Sequence, residues 1–184
     1  MAAPPAVPAD KTARNLTGAY TLNHTLSDSS SEMLKMQNVG WLVRNAIAYS
    51  SIAVQLKQYD SPADGKPHLD QKQTSTGGME NAEQRTMDWQ WREAENRIWG
   101  PVWSRGRYAN VEQVADGFLR EGYDGAELVE LHVESRRDTW KARQTWGFAE
   151  VDGVRRQVRK IIAAKDDKEL KVTMVYDWKG ELKI

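Results

Sequence analysis

The stretch SEMLKMQNVGWLVRNAI, residues 31–47, decides how the chain is read, because it is patterned as helix in a sequence otherwise patterned as strand. Ser29 stands three residues before Glu32, the capping-box spacing that opens a helix. Met33, Leu34 and Met36 then face inward. Gly40 interrupts the pattern, and a second helix sets Leu42, Val43, Ala46 and Ile47 on one side, with Arg44 and Asn45 directed elsewhere. Short amphipathic helices draw their stability from what they pack against. Standing before a long run of strands, this pair is predicted to be the lid of a barrel.

Outward from that segment the period changes to two. GAYTLNHT, upstream, reads as a first strand, and Ile52, Val54 and Leu56 alternate with Ala53, Gln55 and Lys57 downstream. DSPADGKP supplies turn chemistry, HLDQKQTST the return strand, and Gly77-Gly78 the next turn. AEQRTMDWQWRE is then a strand carrying Met87, Trp89 and Trp91 on one face, and NRIWGPVWSRGRY is a strand bent at Gly100-Pro101. ELVELHVES, DTWKARQTWGFAE, VRRQVRKIIAA and LKVTMVYDW complete the series, with breaks at Val151-Asp152-Gly153 and Asp166-Asp167. Turn-connected strands without intervening helices imply an all-β, mainly antiparallel meander, and closure removes its exposed edges.

The 184 residues favour one domain, placed at 15–184, behind an Ala- and Pro-rich segment, 1–14, that is expected to be a disordered tail. Lys+Arg and Asp+Glu are both 26, a balance that disfavours a nucleic-acid partner. With no cysteine and scattered His24, His68 and His132, a metal centre is not expected. No stretch approaches the ~20 apolar residues that span a bilayer, and the N-terminus lacks a signal-peptide pattern. A cytoplasmic protein, monomer or homodimer, without membrane insertion, is expected.

SEMLKMQNVGWLVRNAI closely resembles the helix-turn-helix of the intracellular fatty-acid-binding proteins. LTGAYTL looks like the opening strand of the wider calycin group, with Tyr20 where a tryptophan is usual, and VTMVYDWKG resembles the last strand. The resemblance implies a single calycin-like, lipocalin-like barrel that holds a hydrophobic small molecule. In the fatty-acid carriers the last strand carries Arg-x-Tyr, which grips a carboxylate. Here Met174-Val175-Tyr176 keeps only the tyrosine, so a free fatty acid is expected to lose its main anchor.

Eight tryptophans are the compositional oddity. A barrel of this size has room for one small ligand, and inward indoles give it rigid apolar walls. Met87, Trp89, Trp91, Trp99, Trp103, Trp140 and Met174 are the candidate walls, although some of these side chains fill core or cover an outer face. Arg85 shares the strand of Met87 and Trp89, and either reaches the rim or donates hydrogen bonds to a ligand carbonyl. Gln73, beside Gln71, and Tyr176 are the other candidate donors. Glu130, His132 and Glu134 share one face of a strand, either as an acid–base set touching the ligand or as a solvated outer face opposite Val129, Leu131 and Val133. The basic run Arg155, Arg156, Arg159 and Lys160 is expected to be solvated surface.

Barrels of this appearance in fungal and bacterial natural-product biosynthesis include cyclases and isomerases of the pericyclic type. The resemblance therefore implies a cofactor-independent cyclase, of Diels-Alderase type, that folds a polyketide or terpenoid intermediate, with Arg85, Gln73 and Tyr176 as donors. The alternative is a carrier of a neutral hydrophobic ligand.

Overall fold

The computed structural model describes residues 4–182. Strand β2 (Ile52–Asp60) shows the alternation that organises the whole sheet: Ile52, Val54 and Leu56 are buried while Ala53, Gln55 and Lys57 face solvent. It is flanked by β1 (Gly18–Leu22) and β3 (Pro67–Ser75), with Tyr20 opposite Val54 on one side and Gln73 opposite Val54 on the other. Partners in register share a face. That puts Gln71 and Gln73 inside.

The chain continues through β4 (Glu80–Thr86), β5 (Arg92–Asn96), β6 (Gly100–Asn110), β7 (Glu127–Ser135), β8 (Lys141–Val151), β9 (Val154–Lys165) and β10 (Lys168–Gly180). All the pairings are antiparallel, in the order β4-β3-β2-β1-β10-β9-β8-β7-β6-β5. Joining β1 to β10, with Tyr20 opposite Trp178 and Leu22 opposite Tyr176, rolls the meander into a barrel. One seam stays open: β4 and β5 end the order and form no ladder with each other among the described residues.

The lid stands at the mouth as two helices, α1 (Ser31–Met36) and α2 (Trp41–Tyr49). Their details differ from the sequence reading. Ser30 is the N-cap of α1 and makes no side-chain cap hydrogen bond. In α2 only Ile47 is buried, and Leu42 lies on the exposed side with Trp41 and Tyr49.

Three other expectations are corrected. Residues 4–14 are not loose: they cross the end of the barrel opposite the lid, burying Val7, Lys11 and Ala13. The Val7 amide donates to the Arg155 carbonyl (2.9 Å), Arg155 returns a bond to the Lys11 carbonyl (2.9 Å), and the Lys11 ammonium reaches the Thr17 carbonyl (2.8 Å) above the Trp178 ring. Long polar side chains thus hold a segment whose own apolar content is small. Residues 1–3, also read as tail, lie outside the described residues.

The second correction is an insertion between β6 and β7. A 3-10 turn (Val111–Gln113) and helix α3 (Gly117–Arg120) pack Val114 and Leu119 onto Leu128 of β7 and Ile162 of β9, on the outer wall. Gly147 of β8 is required there, since a Cβ would stand 2.7 Å from Tyr123 and 2.8 Å from Leu128.

The third concerns residues 87–91, which break the strand expected over 82–93. Trp89 has φ +63°, a left-handed backbone costly for a bulky residue. Its ring is thrown to the outer wall between the guanidiniums of Arg105 (4.0 Å) and Arg107 (4.4 Å), with His132 edge-on at 4.8 Å. Those cation–π contacts offset the strain.

Because residues 4–14 seal the closed end, a variant lacking residues 1–14 is expected to lose about 2–4 kcal/mol of stability in urea unfolding. A midpoint unchanged from the full chain would show the segment to be superficial.

Candidate functional site

Inward positions of the barrel enclose a cavity of about 430 Å³, within the range that holds one small molecule. Its roof is the lid, through Met33 and Leu34 of α1, Gln37 at the C-cap of α1, and Ile47 of α2. The Gln37 side-chain oxygen accepts from the Trp99 indole N–H at 3.0 Å, latching the lid to the β5–β6 turn. Asn38 bonds to Asp138 in the β7–β8 turn. Apolar walls come from Trp99, Val102, Trp140, Trp146, Ile161 and Met174.

The sequence-expected side chains divide. Arg85, Gln73, Tyr176, Trp99, Trp140 and Met174 line the cavity. Met87 is buried but packs against Gly106, whose missing Cβ leaves room for its sulfur. Trp89, Trp91, Trp103 and His132 do not line it. Trp91 and Trp103 are each 38% exposed, and Arg105 and Arg136 stack on their respective rings. The break at 87–91 is the cause for Trp89 and Trp91, and inward residues of β6 are Val102 and Ser104, which turns Trp103 out.

His132 belongs to an outer-wall network. Its Nε2 is 3.3 Å from Glu130, its Nδ1 is 3.2 Å from Arg105, and Glu130 also accepts from Arg107 at 2.8 Å. Burial pushes the Glu130 carboxyl up, but hydrogen bonds from His132 and Arg107 outweigh this and hold it below the usual range. The network clamps Trp89 rather than facing the cavity.

Two side chains missed by the sequence reading complete the interior. Trp146, 1% exposed, forms a platform on which Arg159 (3.8 Å to the ring centroid) and Arg85 (5.4 Å) both rest. The basic run of β9 is not the solvated surface expected of it: Arg156 is buried and donates to Asp177 at 2.7 Å, and Arg159 points inward, 4% exposed, with Tyr176 on its other side at 4.5 Å. The Arg159 Nη1 donates to Gln71 at 2.7 Å, and Nη2 has no partner among the described residues. Desolvation, and secondarily the nearby Arg85 charge, push its pKa down. Arg85 pairs through Nη2 with Glu83, leaving Nε and Nη1 buried without partners among the described residues. Free donors beside an indole are what a carbonyl-bearing ligand needs. Among the described residues no group of acidic, histidine or cysteine side chains is arranged to hold a metal ion.

The chain is a calycin-like, nearly closed β-barrel. Solved structures share its fold at low identity: a point mutant of a fatty acid transporter, REP1-NXSQ (TM-score 0.55, 13% identity, covering 89% of this chain and 98% of that one), and the fluorescent protein UnaG (TM-score 0.56, 11% identity, 89% and 97%). In sequence the chain is similar over 180 residues to a probable pericyclase, scpY, of Mollisia scopiformis (29% identity, 95% of each chain). It is likewise similar to pericyclase pydY of an Acremonium species (26% identity, 95% of this chain and 97% of that one). No protein-family model matches it. None of the helices among the described residues is long and apolar enough to cross a membrane.

Residues 87–91 form a strap beside the open seam that is held by Asp88, which accepts from Lys66 (2.7 Å) and from both terminal nitrogens of Arg92 (2.6 and 2.7 Å). These bonds, that of Arg92 first, hold its carboxyl well below the usual range. A depressed folded-state pKa stabilises above the unfolded pKa and stops doing so as pH falls through the folded value. Asp88→Asn is therefore expected to melt lower than wild type at neutral pH, with the gap narrowing below about pH 4. A gap constant from neutral to strongly acidic pH would contradict this.

Proposed function

We propose that the barrel is a cofactor-independent pericyclase that folds a flexible hydrophobic intermediate and joins its ends. The observation that carries the reading is the pair of unpartnered Arg85 donors, Nε and Nη1, buried in a cavity walled by indoles. Similarity along 95% of the chain to two proteins named as pericyclases supports it.

An intramolecular [4+2] closure forms two carbon–carbon bonds from the π electrons of one molecule. Nothing leaves and nothing is oxidised, so no nucleophile or proton shuttle is needed. What accelerates it is confinement in a near-attack conformer and a donor on the carbonyl conjugated to the dienophile. In this reading Trp99, Trp140 and Met174 compress the chain, Arg85 donates to the carbonyl, and Gln73 and Tyr176 supply further polar contact. Exclusion of water by the lid makes each donor stronger than it is in bulk solvent.

The second reading is a carrier, favoured by the fold shared with a fatty acid transporter and a fatty acid binding protein. One experiment separates the two. The purified full chain is incubated with linear polyenes bearing a conjugated carbonyl, and products of unchanged mass are resolved chromatographically. A ring isomer formed faster and with higher stereoselectivity than in buffer is expected. Binding without acceleration would favour the carrier.

Where turnover is found, Arg85→Gln is expected to lower kcat/KM roughly a hundredfold, as for loss of a donor that stabilises the transition state. The Glu83→Gln/Arg85→Gln double variant, which leaves no unpaired carboxylate behind, should show the same loss. A wild-type kcat/KM in both would remove Arg85 from the mechanism.

A further inference from the structure

The enclosed wall of the cavity carries more positive than negative charge. Arg159 and Arg85 are both more than nine-tenths buried, and the carboxylate within reach of them, Glu83, is taken by Arg85. The other groups facing Arg159 are the amides of Gln71 and Gln157 and the hydroxyl-bearing rings of Tyr176 and Tyr20, none of them a carboxylate. Of the neighbouring cations, Arg92 is bound by Asp88, and Arg105, whose Nε has no partner among the described residues, stacks on Trp89 and Trp91 and reaches His132. Glu93 and Glu95, at the open seam, are exposed to solvent.

A guanidinium does not deprotonate in a protein, so the Arg159 charge is fixed. Buried with its nearest carboxylate, Glu83, bonded to Arg85, it is a standing cost that a ligand of the right sign lowers. The available approach is restricted. The Trp146 and Tyr176 ring centroids lie 3.8 and 4.5 Å from the Arg159 guanidinium carbon, and the donors left without partners among the described residues are its Nη2 and, beside the same indole, Nε and Nη1 of Arg85. A neutral carbonyl would satisfy a single donor and leave the charge. An anion spread over two oxygens satisfies donors on both arginines and balances the charge.

We propose that Arg159 makes the cavity selective for a substrate whose head group is an oxyanion shared by two oxygens, held between Arg159 and Arg85 against Trp146. An ionised β-dicarbonyl and a carboxylate share that chemistry. The cation comes from β9 and not from the last strand, where Met174 stands. The inference deepens the pericyclase reading and rests on it only for the premise that the cavity takes a small hydrophobic molecule.

The test uses the full chain and four probes of equal tail length: a 2-dodecanoyl-cyclohexane-1,3-dione, its enol methyl ether, dodecanoate and methyl dodecanoate. Binding is followed by tryptophan quenching at neutral pH. At least one acid should bind about tenfold or more tighter than its neutral partner, and whichever acid gains more identifies the source of the oxyanion. Arg159→Gln should abolish that preference while neutral probes stay within about threefold, and Arg159→Lys should restore part of it. In the ligand-free protein Arg159→Met should not lower the melting temperature, as loss of a merely structural arginine would. Equal affinity of acids and neutral partners for wild type overturns the proposal, a result that needs no variant to fold. So does a preference that survives in Arg159→Gln. Acid preference without ring closure overturns the enzyme reading alone, and ring closure without acid preference overturns this inference alone.

Discussion

The antiparallel ladder between β1 and β10 is the constraint on which the rest depends. It brings the two ends of a long meander together, Tyr20 against Trp178 and Leu22 against Tyr176, and so converts a sheet with two faces into a wall with an inside. Once Tyr20 is inside, the period of two assigns every residue of the neighbouring strands. Tyr176 and Met174 follow on β10, Arg159 and Ile161 on β9, Trp146 and Gln144 on β8. A slip of one residue at that ladder would send the whole polar set to solvent and bring Val175, Val158 and Thr145 inward. The cavity chemistry is thus a consequence of register.

Closure is incomplete at one place, and the incompleteness is held there. Residues 87–91 stop β4 from running on, the left-handed backbone at Trp89 turns the chain, and Arg105 and Arg107 grip the displaced ring. Asp88 fixes the same strap from the other side through Lys66 and Arg92. The result is an unpaired edge on each of β4 and β5, next to the cavity wall that carries Arg85 and Glu83. Apart from Ala82 and Ala94, those edge strands are polar or charged, which keeps them from pairing with another chain.

What is legible in the sequence follows from how strongly each pattern is stated. The alternation of β2 and the helix pair before it lie where the pattern puts them because their apolar residues recur at the period of each element, and the breaks at 151–153 and 166–167 because Asp152, Gly153 and Asp166 take the left-handed backbone of a turn. The strap is not legible. Met87, Trp89 and Trp91 alternate as a strand should, and only the tertiary grip of two arginines reveals that the period stops at Thr86. Arg159 is hidden for a different reason: β9 is apolar on both faces. Ile161 and Ala163 face inward with Arg159, but Val158 and Ile162 are also buried, Ile162 under the insertion that carries α3. Without knowing that something covers the outer wall, the strand's parity is undecidable and a basic run reads as surface. The face shared by Arg159 with Ile161 and Ala163 is the available signal, and it acquires meaning only from the register to β10. The N-terminal segment escapes on the same principle, since its own composition is poor and its order is conferred by Arg155 and Lys11.

An interior of this kind is organised before any ligand arrives. Arg159 is held between two rings, its Nη1 and, more weakly, its Nε engaged by glutamines, and Arg85 is tethered by Glu83, so the donors are aimed by the fold rather than recruited. Orientation achieved in advance is what makes electrostatic assistance effective in a dry site, where water would otherwise have to reorganise during the reaction. The same arrangement burdens the empty protein, because a charge without a counter-charge and several donors without acceptors are destabilising when buried. An apolar residue at position 159 would relieve that burden and pack well between Trp146 and Tyr176. The chain instead carries a guanidinium there, on a strand whose inward neighbours Ile161 and Ala163 are apolar, a placement that stability alone does not explain.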